Sequence, residues 1–367
     1  MEASGIAIGM AAPLSMQAAA LGMEMQHAIE MAVTNYNNHP NNTKWPIRLL
    51  TRDDKSSIKE SETIARDFVA DSTMLGFIGH YNSDTSLAAA KIYAAANLAL
   101  IAPIASNPLL TESKLLNVFR YTNRDDTTGK AISIYTYDKL RKRHAVVFKT
   151  DSAYGNSMGD QFIRHFSHCG GEITSVTTVQ QGASDFTSAI DAIPERADLV
   201  FYGGTFEGAS LLKALRASGH NMLFATGDGC WDKINFLQPA GSAAEAGEGV
   251  LILSASCNTS HSEESMLFEK RYNAKYGPIN NYALNAYDAA NLLIMAIKHA
   301  IQKRNGMPAR EDVLQSLKEV NFTGIANPMP VIWNAQGDNM NAICVLNTIH
   351  NGNYQQVTLI KKDSILS

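Results

Sequence analysis

Long apolar runs are missing from this 367-residue chain. Nothing in it approaches the roughly 18 consecutive apolar residues a membrane-spanning helix needs, so membrane insertion is not expected. Charge of one sign is missing as well: 31 Lys and Arg stand against 35 Asp and Glu, a net charge of -4, with both signs mixed throughout. No basic stripe tracks a phosphate backbone, and nucleic acid is not an expected partner. The most basic run, Lys139 to His144, ends a helical pattern, where cations complement the helix dipole. Cysteine is scarce. Cys169, Cys230, Cys257 and Cys344 lie far apart with no CxxC pair, which fits neither a zinc site nor a dense disulfide framework. Their pairing and the redox compartment stay open on this ground. The amino terminus has neither the basic start nor the apolar core of a signal peptide. It reads either as a cytosolic protein or as a mature segment with an added Met1.

Chemical signatures are absent too. There is no GxGxxG after a strand, no GxxxxGK[ST] and no HExxH, and Gly203-Gly204-x-x-x-Gly208 has the wrong spacing for a phosphate loop. His165 and His168 sit three apart on one helical pattern beside Cys169, which reads as a surface rather than a metal site. His80 has no partner carboxylate or nucleophile at a recognisable spacing and reads as a strand-end residue. No catalytic group, metal or cofactor is therefore expected, and the chain is not expected to be an enzyme.

What is present is a steady alternation of short apolar runs and amphipathic segments, the pattern of βαβ units with a helix-covered parallel sheet. Composition is that of a globular chain, with 45% hydrophobic and 18% charged residues. Its length exceeds one ordinary core, so two domains are expected. Strands are predicted at Ile6–Gly9, Ile47–Thr51, Leu75–Ile78, Leu98–Ile101 and Val118–Tyr121, with helices at Met16–Asn38, Lys59–Ala70 and Thr85–Ala96. The alternation then restarts. A helix is predicted at Thr128–Leu140, then strands at His144–Lys149, Ile173–Thr177, Leu199–Tyr202, Leu223–Thr226 and Val250–Leu253, with helices at Gly155–Cys169 and Gly208–Ser218. Three helical segments follow (Glu264–Tyr276, Asn281–Gln302, Arg310–Glu319), then a β-like tail at Val331–Trp333, Ala342–Thr348 and Tyr354–Ile360. Gln336-Gly337-Asp338 and Asn351-Gly352-Asn353 separate those last strands as hairpin turns would.

Polar loops recur where predicted strands end. Tyr81-Asn82-Ser83-Asp84-Thr85 follows one strand, and Pro103-Ile104-Ala105-Ser106-Asn107-Pro108 follows the next, about twenty residues on. In an open parallel sheet such loops gather along one edge, where small ligands bind. Asn82 to Thr85 can be a plain helix N-cap. The same helix end can instead hold a ligand carboxylate on N–H groups and the Ser83 hydroxyl, with Ser106 completing the grip. Further along, Tyr154-Gly155, Tyr202-Gly203-Gly204-Thr205 and Thr226-Gly227-Asp228-Gly229 also follow strands. The glycines can mark tight turns or a close ligand approach, Tyr154 an aromatic wall, and Asp228 a turn residue or an acceptor for a cationic group.

In this order, and with Tyr282 ahead of Tyr287-Asp288, these residues resemble the type I periplasmic solute-binding proteins of the leucine/isoleucine/valine-binding family. The resemblance runs from the Ile6 strand to the Trp333 region. It implies an α/β fold of two doubly wound parallel-sheet lobes with a ligand cleft between them, residues 1–124 with 257–332 and 125–256 with 333–367. It implies that Ser83 and Ser106, with backbone near Tyr81, Asn82 and Ser83, hold a ligand α-carboxylate. The carbonyl of Ile104, beside Ala105, and the side chain of Asp228 match ammonium acceptors, while Tyr154 and Tyr282 match cleft-lining aromatics. Thr205 stands where an aromatic often follows the Tyr-Gly-Gly turn, no aromatic is evident among Met16-Gln17-Ala18, and Asn82 occupies a position that is half of a disulfide in some members. The implied role is a periplasmic receptor, its signal peptide removed, that binds a small amino acid or close analogue and delivers it to an ABC transporter permease. The alternative is a ligand-sensing regulatory receptor of the same fold for an amide, urea-like or aromatic acid ligand.

Overall fold

A computed structural model of the protein describes residues 5–240, 246–257, 259–280 and 282–360. The chain divides into two compact units, one from 1–122 with 258–342 and the other from 123–257 with 343–367.

The first unit is built on β1 (Ile6–Ala12), β2 (Ile47–Asp53), β3 (Met74–Gly79), β4 (Ala99–Ala102) and β5 (Val118–Arg120), in the order β2-β1-β3-β4-β5. Every neighbouring pair is parallel. All residues of β1, β3 and β4 are buried, as expected of strands covered on both faces, whereas edge strand β2 is largely half-exposed. Helix Ile58–Ala70 starts at Ser57, whose hydroxyl accepts from the Glu60 N–H. Its Ile64, Ala65 and Phe68 enter a core with Phe77, Tyr93, Leu98 and Leu100. Helix Ala283–Arg304 brings Leu293 so near β3 that a side chain at Gly76 would overlap it. The predicted start of that helix, Asn281, lies outside the described residues.

The segment 333–342 belongs to this first unit rather than the second. Val331–Trp333 is not a sheet strand; it makes the isolated bridge Trp333–Asn339, next to Thr323–Pro330, and its Val331 N–H donates to the Phe322 carbonyl. The Trp333 indole donates to the Leu317 carbonyl at 2.9 Å and packs edge-on against Phe119. Gly337 accepts from the Arg120 N–H and Asn339 donates to the Arg120 carbonyl, so this segment lines β5. The Gln336-Gly337-Asp338 turn is thus no hairpin between sheet strands. An apolar tripeptide reads as a strand, but its neighbours in space were not visible from its pattern.

The second unit carries β6 (His144–Thr150), β7 (Glu172–Val179), β8 (Leu199–Gly203), β9 (Leu223–Thr226), β10 (Leu251–Ser254), β11 (Cys344–His350) and β12 (Asn353–Ile360). Their order is β12-β11-β10-β9-β8-β6-β7. Strands β6 to β10 pair in parallel, and β11 and β12 extend the sheet antiparallel. The turn between β11 and β12 is Asn351-Gly352, with φ of 50° and 69°, the two positive values a two-residue type I′ turn requires. Helix Ala153–His168 sets Phe162 and Phe166 into a core with Val147 and Phe201. The predicted helix Thr128–Leu140 runs Asp125–Ile134 and then widens to a π turn at Tyr135–Lys139. Both units thus have the α/β architecture expected, each with a predominantly or wholly parallel sheet.

Candidate functional site

In the first unit, β3 and β4 pair with Ile78 opposite Ile101. Ser83 and Ser106 each lie five residues beyond that pair, so the two loops leave the sheet edge side by side at equal distance along the chain. Both serines are 3% exposed. Among the described residues neither hydroxyl has a hydrogen-bond partner, nor does the Ile104 carbonyl. Asn82 occupies the N-cap position of helix Ser83–Ala95 with extended backbone, yet its side chain makes no cap bond and its Oδ1 is buried without a partner. A plain N-cap does not account for this loop. The helix dipole and its first N–H groups are set up for an anion. Ala105 is buried and Tyr81 partly exposed on the same two loops.

Buried polar residues hold these loops from beneath. His80 Nδ1 lies 2.7 Å from Asp54 Oδ2, both side chains fully buried. Its Nε2 faces the Tyr93 hydroxyl at 3.4 Å, and Ser86 Oγ donates to the His80 carbonyl. His80 does therefore have a partner carboxylate, 26 residues away at the end of β2, which no spacing rule reveals. The arrangement ties the end of β3 to β2 and uses both ring nitrogens, consistent with a strand-end role.

Arg120, also fully buried, pairs with Asp338 at 2.8 Å and donates to Thr111 Oγ1 and to the Asn107 carbonyl. Tyr282 is 3% exposed at the start of helix Ala283–Arg304. Its N–H and that of Asn280 donate to the two oxygens of buried Glu24, at 3.2 and 2.8 Å. Nearby, Asp288 accepts from the Tyr121 hydroxyl and from the N–H groups of Ile325 and Ala326. Burial pushes its carboxyl up to about 6, and those three donors pull the other way.

In the second unit, β6, β8 and β9 align Phe148, Tyr202 and Thr226 in register. Tyr154, Thr205 and Asp228 follow the carboxyl ends of these three neighbouring strands. The Tyr154 hydroxyl donates to Asp228 Oδ1 at 2.8 Å and accepts from the Gly229 N–H at 2.8 Å. Burial, then the charges of Asp228 and Asp125, hold the Tyr154 phenol well above its usual range. Asp228 is 6% exposed. Thr205 is placed differently from Ser83 and Ser106: its hydroxyl donates to Glu207 Oε2 at 2.7 Å, which also receives the Tyr202 hydroxyl. The Gly203-Gly204 pair serves packing. A Cβ on Gly203 would meet the backbone of Gly155 and Gly159, and one on Gly204 would meet the Tyr202 hydroxyl.

Four site-supporting residues were missed from the sequence: Asp54, Glu24, Arg120 and Asp338. Only Arg120 left a signal, a charge inside the apolar run Val118–Tyr121. Among the described residues no group of three or more His, Cys, Asp or Glu side chains could hold a metal ion, and no helix is long and apolar enough to cross a membrane. All four cysteines are free thiols.

Two α/β units, each with polar loops at the carboxyl ends of adjacent parallel strands, have the architecture of type I periplasmic binding proteins. The chain belongs to the periplasmic binding protein family, whose model matches residues 5–347. A Leu/Ile/Val-binding protein homolog 2 from Brucella abortus is 28% identical over 297 residues, covering 80% of this chain and 78% of that protein. The branched-chain amino acid transporter substrate binding protein of Streptococcus pneumoniae, solved in complex with isoleucine, superposes with a TM-score of 0.86 at 24% identity, covering 97% and 99% of the two chains. A solute binding protein of R. palustris solved with benzoate gives a TM-score of 0.84 at 21% identity, covering 97% and 96%.

Proposed function

We propose that this protein is a periplasmic receptor for a small, neutral amino acid or close analogue, which it binds without turnover and delivers to the permease of an ABC importer. One observation carries the reading: Ser83 and Ser106, nearly fully buried on adjacent loops, have hydroxyls without partners among the described residues, at the start of a helix whose N-cap side chain is unused. These hydroxyls have no acceptor among the described residues, and a carboxylate supplies the acceptors they lack. The second unit offers the complementary chemistry. Asp228, oriented by Tyr154, is an acceptor for an ammonium group. An α-amino acid carries both groups, and relatives named for leucine, isoleucine and valine binding fit that class.

A second reading, an aromatic acid ligand, draws support from the phenol already bonded to Asp228 Oδ1 and from the benzoate complex of a protein with the same fold. Calorimetric titration with L-leucine, other neutral amino acids, their amides and benzoate separates the two. Amino-acid binding that weakens at least about tenfold in both Ser106→Ala and Asp228→Ala supports the first reading, since stranding a buried charge costs roughly 3–5 kcal/mol. Binding of benzoate alone, insensitive to Asp228, selects the second. No binding of either class, or ligand recovered chemically changed, defeats the receptor reading as stated.

A further inference from the structure

The Ser106 loop carries two sets of polar groups on alternating residues. Ala105 and Asn107 turn theirs toward the buried guanidinium of Arg120, with Nη1 at 3.5 and 2.7 Å. Ile104 and Ser106, the residues between and before, keep a carbonyl and a hydroxyl without partners among the described residues. Arg120 Nη2 donates to Thr111 Oγ1 at 2.6 Å and to the Pro108 carbonyl at 3.4 Å, and its Nε donates to Asp338 at 2.8 Å. Thr111 Oγ1 donates in turn to Asp338. One planar five-donor group therefore fixes the loop's carbonyls on one side, and a fixed fork does this with less entropy loss than a flexible ammonium would. Asp338 comes from a segment 218 residues away, whose Gly337 and Asn339 bond the Arg120 backbone.

We infer that Arg120, oriented by Asp338, is the positioning residue that aims Ile104 and Ser106 at the ligand. This rests on the binding role proposed for that loop. Arg120 itself touches no ligand. Its charge is matched by Asp338, so it acts through loop geometry and not as a second carboxylate receptor.

Two measurements on the full chain test it. The first is hydrogen–deuterium exchange without ligand, on wild type and on Arg120→Met/Asp338→Leu, a replacement that removes both buried charges together. Amides of residues 104–111 should exchange at least about tenfold faster while β3 and β4 stay protected, since local opening is read separately from the core. Unchanged exchange in 104–111 overturns the inference. The second is a double-mutant cycle on affinity for L-leucine and benzoate, with Arg120→Lys and Ser106→Ala. Arg120→Lys should weaken binding about tenfold in the wild-type background and by less than about twofold once Ser106 is Ala. Additive losses overturn it, because Arg120 would then act elsewhere. Should wild type bind neither probe, the cycle is run on the neutral amino acid or amide that it does bind, and the exchange result decides the loop anchor independently of the ligand.

Discussion

Replacing Tyr154 by Phe keeps the ring and deletes one oxygen that serves two partners within the second unit. The hydroxyl donates to Asp228 Oδ1 and accepts from the Gly229 N–H, both at 2.8 Å. A hydrogen bond to a charged group contributes about 1.5–3 kcal/mol, and an orphaned donor costs about 1–3 kcal/mol when water cannot reach it. Gly229 is partly exposed, so its share falls at the low end. The net expectation is about 2–4 kcal/mol of lost stability. At a few degrees per kcal/mol for a unit of this size, that is a fall of roughly 5–12 °C in Tm. Urea unfolding followed by circular dichroism measures it. Where the two units unfold in separate steps, the change belongs in one step only, because both partners lie in one unit. Asp228→Asn alone should cost less than Tyr154→Phe, since an amide oxygen still accepts from the phenol. The double variant should cost less than the two together. A Tyr154→Phe loss below about 0.5 kcal/mol would mean the phenol and Asp228 are solvated separately, and the oriented-acceptor argument would fail.

Two further expectations concern the first unit. Burial raises the Asp288 carboxyl from 3.8 to about 6, so the folded state holds that proton more tightly than the unfolded chain. Its contribution is fully present below about pH 4 and is lost as pH rises through 6, on the order of 3 kcal/mol in all. Asp288→Asn should remove that slope between pH 4 and 6 when unfolding free energies are compared. A slope identical in both proteins would refute the assignment. Glu24 accepts from the N–H groups of Asn280 and Tyr282. Glu24→Gln turns an NH2 toward one of those donors and should cost about 1–3 kcal/mol in thermal unfolding. A neutral outcome would show that the Tyr282 segment is held by other contacts.

The fold was largely legible because strands buried on both faces write themselves as apolar runs, and β1, β3, β4, β6 and β8 all do. Loops at their ends were legible for the same reason: once a strand is located, the polar residues after it are placed. Strand-end position alone brought Ser83 together with Ser106, and Tyr154 with Asp228. What was not legible were partnerships. Arg120 with Asp338, His80 with Asp54 and Glu24 with Tyr282 join residues 218, 26 and 258 positions apart. No local periodicity encodes such a pair. The same limit misassigned 333–342, whose partners are β5 and Leu317, and it left Thr205 looking available when Glu207 already holds it.

Those partnerships separate two kinds of buried polar group. Asp54, Glu24, Arg120 and Glu207 are bonded on several sides and serve the fold. The Ser83 and Ser106 hydroxyls, the Asn82 Oδ1 and the Ile104 carbonyl are not bonded among the described residues. Unpaired buried amide oxygens occur elsewhere too, among them those of Asn117, Asn123, Gln161 and Asn347. What distinguishes the first-unit groups is that all four lie on two adjacent strand-end loops. Of these, Asn82 Oδ1 is shut off from solvent, which costs about 1–3 kcal/mol while it stays unbonded. In the second unit the Tyr154, Thr205 and Tyr202 hydroxyls all have partners, and Tyr154 orients Asp228 as an acceptor.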